Sequence, residues 1–128
     1  MYELMCNEPT CNGIAFSFSV NGNRFVMCNY NYNKHRLKRR ELEEQFFRKL
    51  MKESIGYPDH IYKDLDLKHK GRFCYYKKHY QVGSRIVYTK TIIGILEQPI
   101  AIISGYKTDF IKEQKFAKPV ICDPLNTK

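Results

Sequence analysis

The chain has 128 residues, 43% hydrophobic and 27% charged, which is the size and mix of one globular domain and too little for two independent cores. Twenty-two Lys and Arg against 13 Asp and Glu leave a formal charge of +9, a surface that attracts polyanions. Five cysteines, an odd number, no apolar leader, and no run near the roughly 20 apolar residues of a membrane helix argue against a secreted disulfide framework and a membrane protein; a reduced, cytoplasmic protein is expected.

Residues 1–12, with Pro9, read as an irregular lead-in. Ile14 to Val20 alternates apolar and small polar residues with the period of a half-buried strand. Asn21-Gly22 is a hairpin turn signal, because a tight primed turn needs positive φ at its centre, and Arg24 to Cys28 returns as the second strand. Residues 29–34 read as a loop whose asparagines can cap the next helix. From about His35 to Ser54 the period becomes helical: Leu42, Phe46 and Leu50, with Phe47 and Met51, form one apolar stripe beneath a charged face. Gly56 and Pro58 end it.

Tyr57 to Lys70 holds a short element at His60 to Tyr62, then Leu65 and Leu67 in a polar loop. Three strand-like segments follow: Arg72 to Tyr80, Arg85 to Ile95 and Ile100 to Thr108. Their short connections make antiparallel pairing the economical topology. Asp109 to Phe116 suits a short helix, and 117–128 an irregular tail. The expected fold is α+β in a single domain spanning 1–128: an N-terminal β-hairpin and one long helix packed on an antiparallel sheet of three to four strands.

Three polar clusters stand out. The first is Lys34, His35, Arg36, Lys38, Arg39 and Arg40. His35 and Arg39 are four apart and share a helical face, pairing a proton carrier near neutral pH with a fixed cationic fork. The bland reading is a basic face that only solvates or only holds a phosphate backbone. The second runs from Arg72 to Tyr80. There Tyr75, Lys77 and His79 alternate with Arg72, Tyr76 and Lys78, and rings beside cations can stack bases while the charges hold phosphates. The third is Ser104-Gly105-Tyr106, where Ser104 and Tyr106 point the same way; the bland reading of Ser104 is a buried hydroxyl bonded to backbone. Cys6, Cys11, Cys28 and His35 do not have zinc-ligand spacing, and no P-loop, GxSxG or HExxH motif occurs. No metal or cofactor is expected.

The succession of hairpin, His35-x3-Arg39, Pro58-Asp59-x-Ile61, Arg72-x-x-Tyr75-Tyr76-Lys77, a Val/Ile-rich strand and Ile103-Ser104-Gly105-Tyr106-Lys107-Thr108 resembles the phage-associated branch of the barnase–EndoU–colicin–RelE superfamily of ribonucleases, over residues 14–112. The resemblance implies one or two helices on an antiparallel sheet of about four strands and metal-independent RNA cleavage by attack of the 2′-hydroxyl on phosphorus. It implies His35 as proton shuttle, Arg39 on the scissile phosphate, and Ser104 and Tyr106 as catalytic partners from the last strand. Lys38, Arg40, Arg72, Tyr75, Lys77 and His79 would bind substrate. RNA is then the expected partner, and a cognate inhibitor protein a candidate one. Where the family has a second His or Pro after the helix Arg, this chain has Arg40-Glu41. The competing function is a non-enzymatic basic phage or host-interaction protein that binds nucleic acid or blocks a protein partner.

Overall fold

The computed structural model describes residues 13–66, 68–96 and 98–125. The expected lead-in over 1–12, with Cys6 and Cys11, lies outside them, as do Leu67, Glu97 and the last three residues. In chain order the elements are β1 (Ile14–Val20), β2 (Asn23–Cys28), α1 (Asn29–His35), a 3₁₀ turn (Arg40–Glu43), α2 (Gln45–Gly56), β3 (His60–Lys63), β4 (Arg72–Val82), β5 (Arg85–Gly94), β6 (Ile100–Thr108) and a second 3₁₀ turn (Lys112–Lys115). Between β1 and β2, Asn21 has φ +51° and Gly22 φ +84°, the geometry a primed two-residue turn requires.

The six strands form one sheet in the order β1-β2-β6-β5-β4-β3. Every pairing is antiparallel except that of β2 with β6, which is parallel at Phe25–Ile100 and Val26–Ala101. This corrects the expected α+β architecture of one long helix on an antiparallel sheet of three to four strands. The sheet is six-stranded and mixed, and the helices have only 7 and 12 residues. The short element expected at His60 to Tyr62 is the edge strand β3, in register with Tyr76 to Cys74.

The predicted helix over His35 to Ser54 breaks for a local reason. Arg36 to Arg40 supplies five polar or exposed positions and nothing to bury, and Arg39 leaves the helical region at φ −121°, ψ 72°. The segment instead follows β6 beyond the point where β2 stops pairing with it. There the Lys107 N–H, on the open edge, donates to Glu41 Oε2 at 2.9 Å. A carboxylate thus satisfies a strand edge that would otherwise be a bare template. Conversely, the expected loop at 29–34 is helical, with Tyr30 and Tyr32 packed on buried residues of the strands.

Alternation on the strands divides the core. On one face Phe47, Met51 and Ile55 of α2 pack against Phe25, Met27, Tyr75, Ile93 and Ile102, each large side chain contributing roughly 1.5–3 kcal/mol. Ser54 Oγ and Thr91 Oγ1 bond at 2.7 Å within that interface. The opposite face carries Tyr62, Cys74 and Tyr76 beneath Ile111, and Val26 and Cys28 beneath Tyr30. Among the described residues no helix is long and apolar enough to cross a membrane.

Candidate functional site

The face opposite α2 gathers the chemistry. His35 ends α1, and its carbonyl accepts the Arg39 N–H at 2.9 Å, so a single tight turn carries both residues to the edge of β6. The Arg39 guanidinium carbon lies 3.9 Å from the centroid of the Tyr106 ring, a cation–π contact that holds the group without using its donors. Among the described residues, no carboxylate forms an ion pair with Arg39 or Arg72. The His35 pKa lies below its ordinary value, first because the ring is partly buried, then because Lys34, Arg39, Arg72 and Lys38 oppose a further positive charge. At neutral pH it is an uncharged proton acceptor among cations.

Below these groups the strands lay out a polar floor. Tyr76, Lys90 and Tyr106 stand side by side on β4, β5 and β6. Lys90 is 3% exposed. Its Nζ lies 3.2 Å from Glu113 Oε2 and 5.2 and 5.4 Å from the Tyr76 and Tyr106 ring centroids. The Tyr76 hydroxyl donates to Glu113 Oε1. Burial works against the ammonium, but Cys74, Tyr106 and Glu113 outweigh it and raise the Lys90 pKa. Ser104, two residues before Tyr106 and on the same face, is 4% exposed with no hydrogen-bond partner for Oγ.

A cleft of about 420 Å³ opens over this floor, lined by Leu65, His69, Lys90, Ile92, Tyr106 and Glu113 among others. His69 stands with Nδ1 3.2 Å from Asp64 Oδ2 and Nε2 3.7 Å from Asp66 Oδ2. Its carbonyl accepts the Arg72 N–H, which ties this loop to a strand whose arginine acts on His35.

His35, Arg39, Arg72, Ser104 and Tyr106 therefore share one face of the sheet, with Lys38 exposed beside them. Arg40 points into solvent and pairs with Glu43 at 3.0 Å. Tyr75, Lys77 and His79 do not join them. Tyr75 is fully buried on the α2 face, with its hydroxyl donating to Asp123 at 2.6 Å. Lys77 Nζ is 3.9 Å from Asp59, and His79 feels Lys107 and Glu53 of α2. The strand alternation that united these three residues also removed them from the site.

Lys90, Glu113 and His69 were not singled out from the sequence. Lys90 carried a signal, since a lysine between two threonines in an otherwise apolar central strand must find a partner when buried. Glu113 carried none: its partner is 23 residues away, and nothing in the tail fixes where it folds back. Among the described residues no group of three or more His, Cys, Asp and Glu converges to hold a metal ion. Comparison of the chain with protein-family models, with curated proteins and with solved structures finds no match.

Proposed function

We propose that this protein is a small metal-independent endoribonuclease, similar in its site to the phage-associated barnase–EndoU–colicin–RelE ribonucleases, and that it cuts RNA by attack of a 2′-hydroxyl on the adjacent phosphorus. The reading rests on the site and not on the fold, which departs from the sheet that resemblance implied. Its carrying observation is a neutral imidazole, His35, that feels the charges of Arg39 and Arg72, with Arg39 held on the Tyr106 ring. His35 takes the proton from the 2′-oxygen as the O–P bond forms. The two guanidiniums hold the equatorial phosphate oxygens as negative charge grows on them. The P–O5′ bond then breaks, and the leaving oxygen takes a proton from the Tyr106 hydroxyl. The products are a 2′,3′-cyclic phosphate and a 5′-hydroxyl. Cys28, Cys74 and Cys122 are free thiols, as the reducing cytoplasm proposed for its action would keep them.

The test is incubation of purified protein with mixed-sequence RNA in EDTA, with product ends identified. Cyclic phosphate ends are expected from RNA and no cleavage from an oligonucleotide lacking 2′-hydroxyls. His35→Ala should lose at least about 10²-fold in rate while RNA affinity changes little. RNA bound but left whole would make the chain a binding module and end the enzymatic reading.

A further inference from the structure

Beside the phosphate seat of Arg39, Arg72 and His35 lies a second feature that cleavage chemistry does not need. A buried ion pair is a costly thing to build into the middle of a sheet, because desolvation offsets most of the attraction between the charges. Lys90 and Glu113 are 3% and 4% exposed, and both are among the residues that line the 420 Å³ cleft. That volume lies within the roughly 300–1,000 Å³ of small-molecule clefts. Leu65 and Ile92 give it apolar patches, the rings of Tyr106 and His69 line it, and Asp64, Asp66 and Lys112 add charge to the lining. Tyr106 divides the two regions, carrying Arg39 on its ring while lining the cleft.

We infer that this cleft is a nucleobase pocket, and that the Lys90–Glu113 pair reads the edge of a base whose phosphate rests on Arg39 and Arg72. The inference builds on the ribonuclease reading by naming what the same site selects. An ammonium offers donors and a carboxylate offers acceptors, side by side and in a fixed order. Glu113 uses one lone pair on each oxygen, for Tyr76 and for Lys90, and keeps the others. The edge of guanine or uracil, taken from its exocyclic oxygen, runs acceptor then donor. The edge of adenine or cytosine, taken from its exocyclic amine, runs donor then acceptor. A fixed pair in a walled cleft fits one order and leaves buried groups unpaired against the other, the situation in which discrimination is largest. Unpaired bases recognised on their hydrogen-bonding edges and between rings are the usual targets of sequence-selective RNA binding.

The experiment is calorimetric titration of the full chain with the four ribonucleoside 3′-monophosphates and, separately, inorganic phosphate. Nucleotides of one edge class should bind at least tenfold tighter than those of the other and than inorganic phosphate. The double variant Lys90→Met, Glu113→Gln leaves no lone buried charge and keeps an acceptor for Tyr76. It should abolish the split between classes while phosphate affinity stays within twofold. His69→Ala, at the rim, should weaken the favoured nucleotides at least threefold without touching phosphate; if the double variant does not fold, this variant decides. Four nucleotides that bind alike and no better than phosphate would overturn the pocket, as would a folded double variant that keeps the split. Cleavage of RNA with no base selection sinks the pocket and spares the ribonuclease. Selective binding of mononucleotides by a protein that leaves RNA whole does the reverse, and oligonucleotides binding no tighter than the matching monophosphate would identify a free nucleotide as the ligand.

Discussion

His35 titrates against its surroundings: partial burial and the charges of Lys34, Arg39, Arg72 and Lys38 hold its pKa below the ordinary 6.5. The depressed value has a definite sign in the rate. The ring is an acceptor above its folded pKa and a non-functional imidazolium below it, so kcat/KM should fall as pH drops through a midpoint under 6.5. Lys34 is exposed and outside the site's own groups, so Lys34→Gln should leave the plateau rate unchanged and move that midpoint upward, toward the free-imidazole value. A pH profile of initial rates for both proteins checks this, and a midpoint indifferent to Lys34 would show that another group carries the limb. The same residue shows how much of the site the sequence held. The i to i+4 spacing of His35 and Arg39 and the i to i+2 spacing of Ser104 and Tyr106 are local and were legible. That Arg39 meets Tyr106 goes with the path of the chain along the edge of β6, where Glu41 reaches Lys107 across 66 residues of sequence. Lys90 and Glu113 also pair across a long stretch of chain, which is why only half of that pair left a trace.

The elements tell a similar story through one glycine. A Cβ at Gly105 would lie 2.6 Å from Met51 Cε and 3.3 Å from the Lys90 carbonyl oxygen. Gly105 is thus a point where the Met51 side chain of α2 packs directly on the backbone of β6, with Ser54 and Thr91 bonded across the same interface. Met51 is flexible but fully buried, so its end can move only by displacing core neighbours, and the Lys90 carbonyl oxygen must also give slightly. Gly105→Ala should cost about 1–3 kcal/mol through overpacking, measured by urea denaturation, and adding Met51→Val should recover part of it. Equal stability of wild type and Gly105→Ala would mean α2 packs less closely than described. The hairpin and the strands β4 to β6 could be read in advance because alternation and turn chemistry are local. The helical stripe misled at Phe46, which is 66% exposed, and at Leu42, which is buried from a 3₁₀ turn. Both fitted the period, but the open edge of β6 decided the path of the chain between them. Tertiary demand overrode local propensity there, and the parallel pairing of β2 with β6 had no local signature at all.

At the scale of the whole molecule, a charge of +9 surrounds a core unusually rich in groups that must keep their protons. Burial pushes the Cys74 thiol up to about 12. It also raises the Tyr75 and Tyr76 phenols, which donate to Asp123 and Glu113. Lys90 is raised as well, burial opposing and its neighbours prevailing. In each case the folded pKa exceeds the unfolded one, so between the two values the folded chain binds more protons and stability falls as pH rises. The contribution is complete below about pH 9, where the unfolded thiol begins to ionise, and erodes from there upward as thiol, phenols and ammonium are reached in turn. His35 and His79 have the opposite sign, since both are depressed, with burial the largest cause. Their contribution is present above the unfolded value of 6.5 and lost as pH falls through the folded one. Stability should therefore be greatest between roughly pH 6.5 and 9, with the steeper decline on the alkaline side. Cys74 alone should account for about 2–3 kcal/mol of loss by pH 11. Urea midpoints at about pH 6, 8, 10 and 11 would trace the profile, and Cys74→Val, which keeps an apolar side chain in the same strand, should flatten its first descent between roughly pH 9 and 10. A midpoint unchanged across that alkaline range would place the thiol and phenols in contact with water, and with them would go the buried floor beneath the cleft.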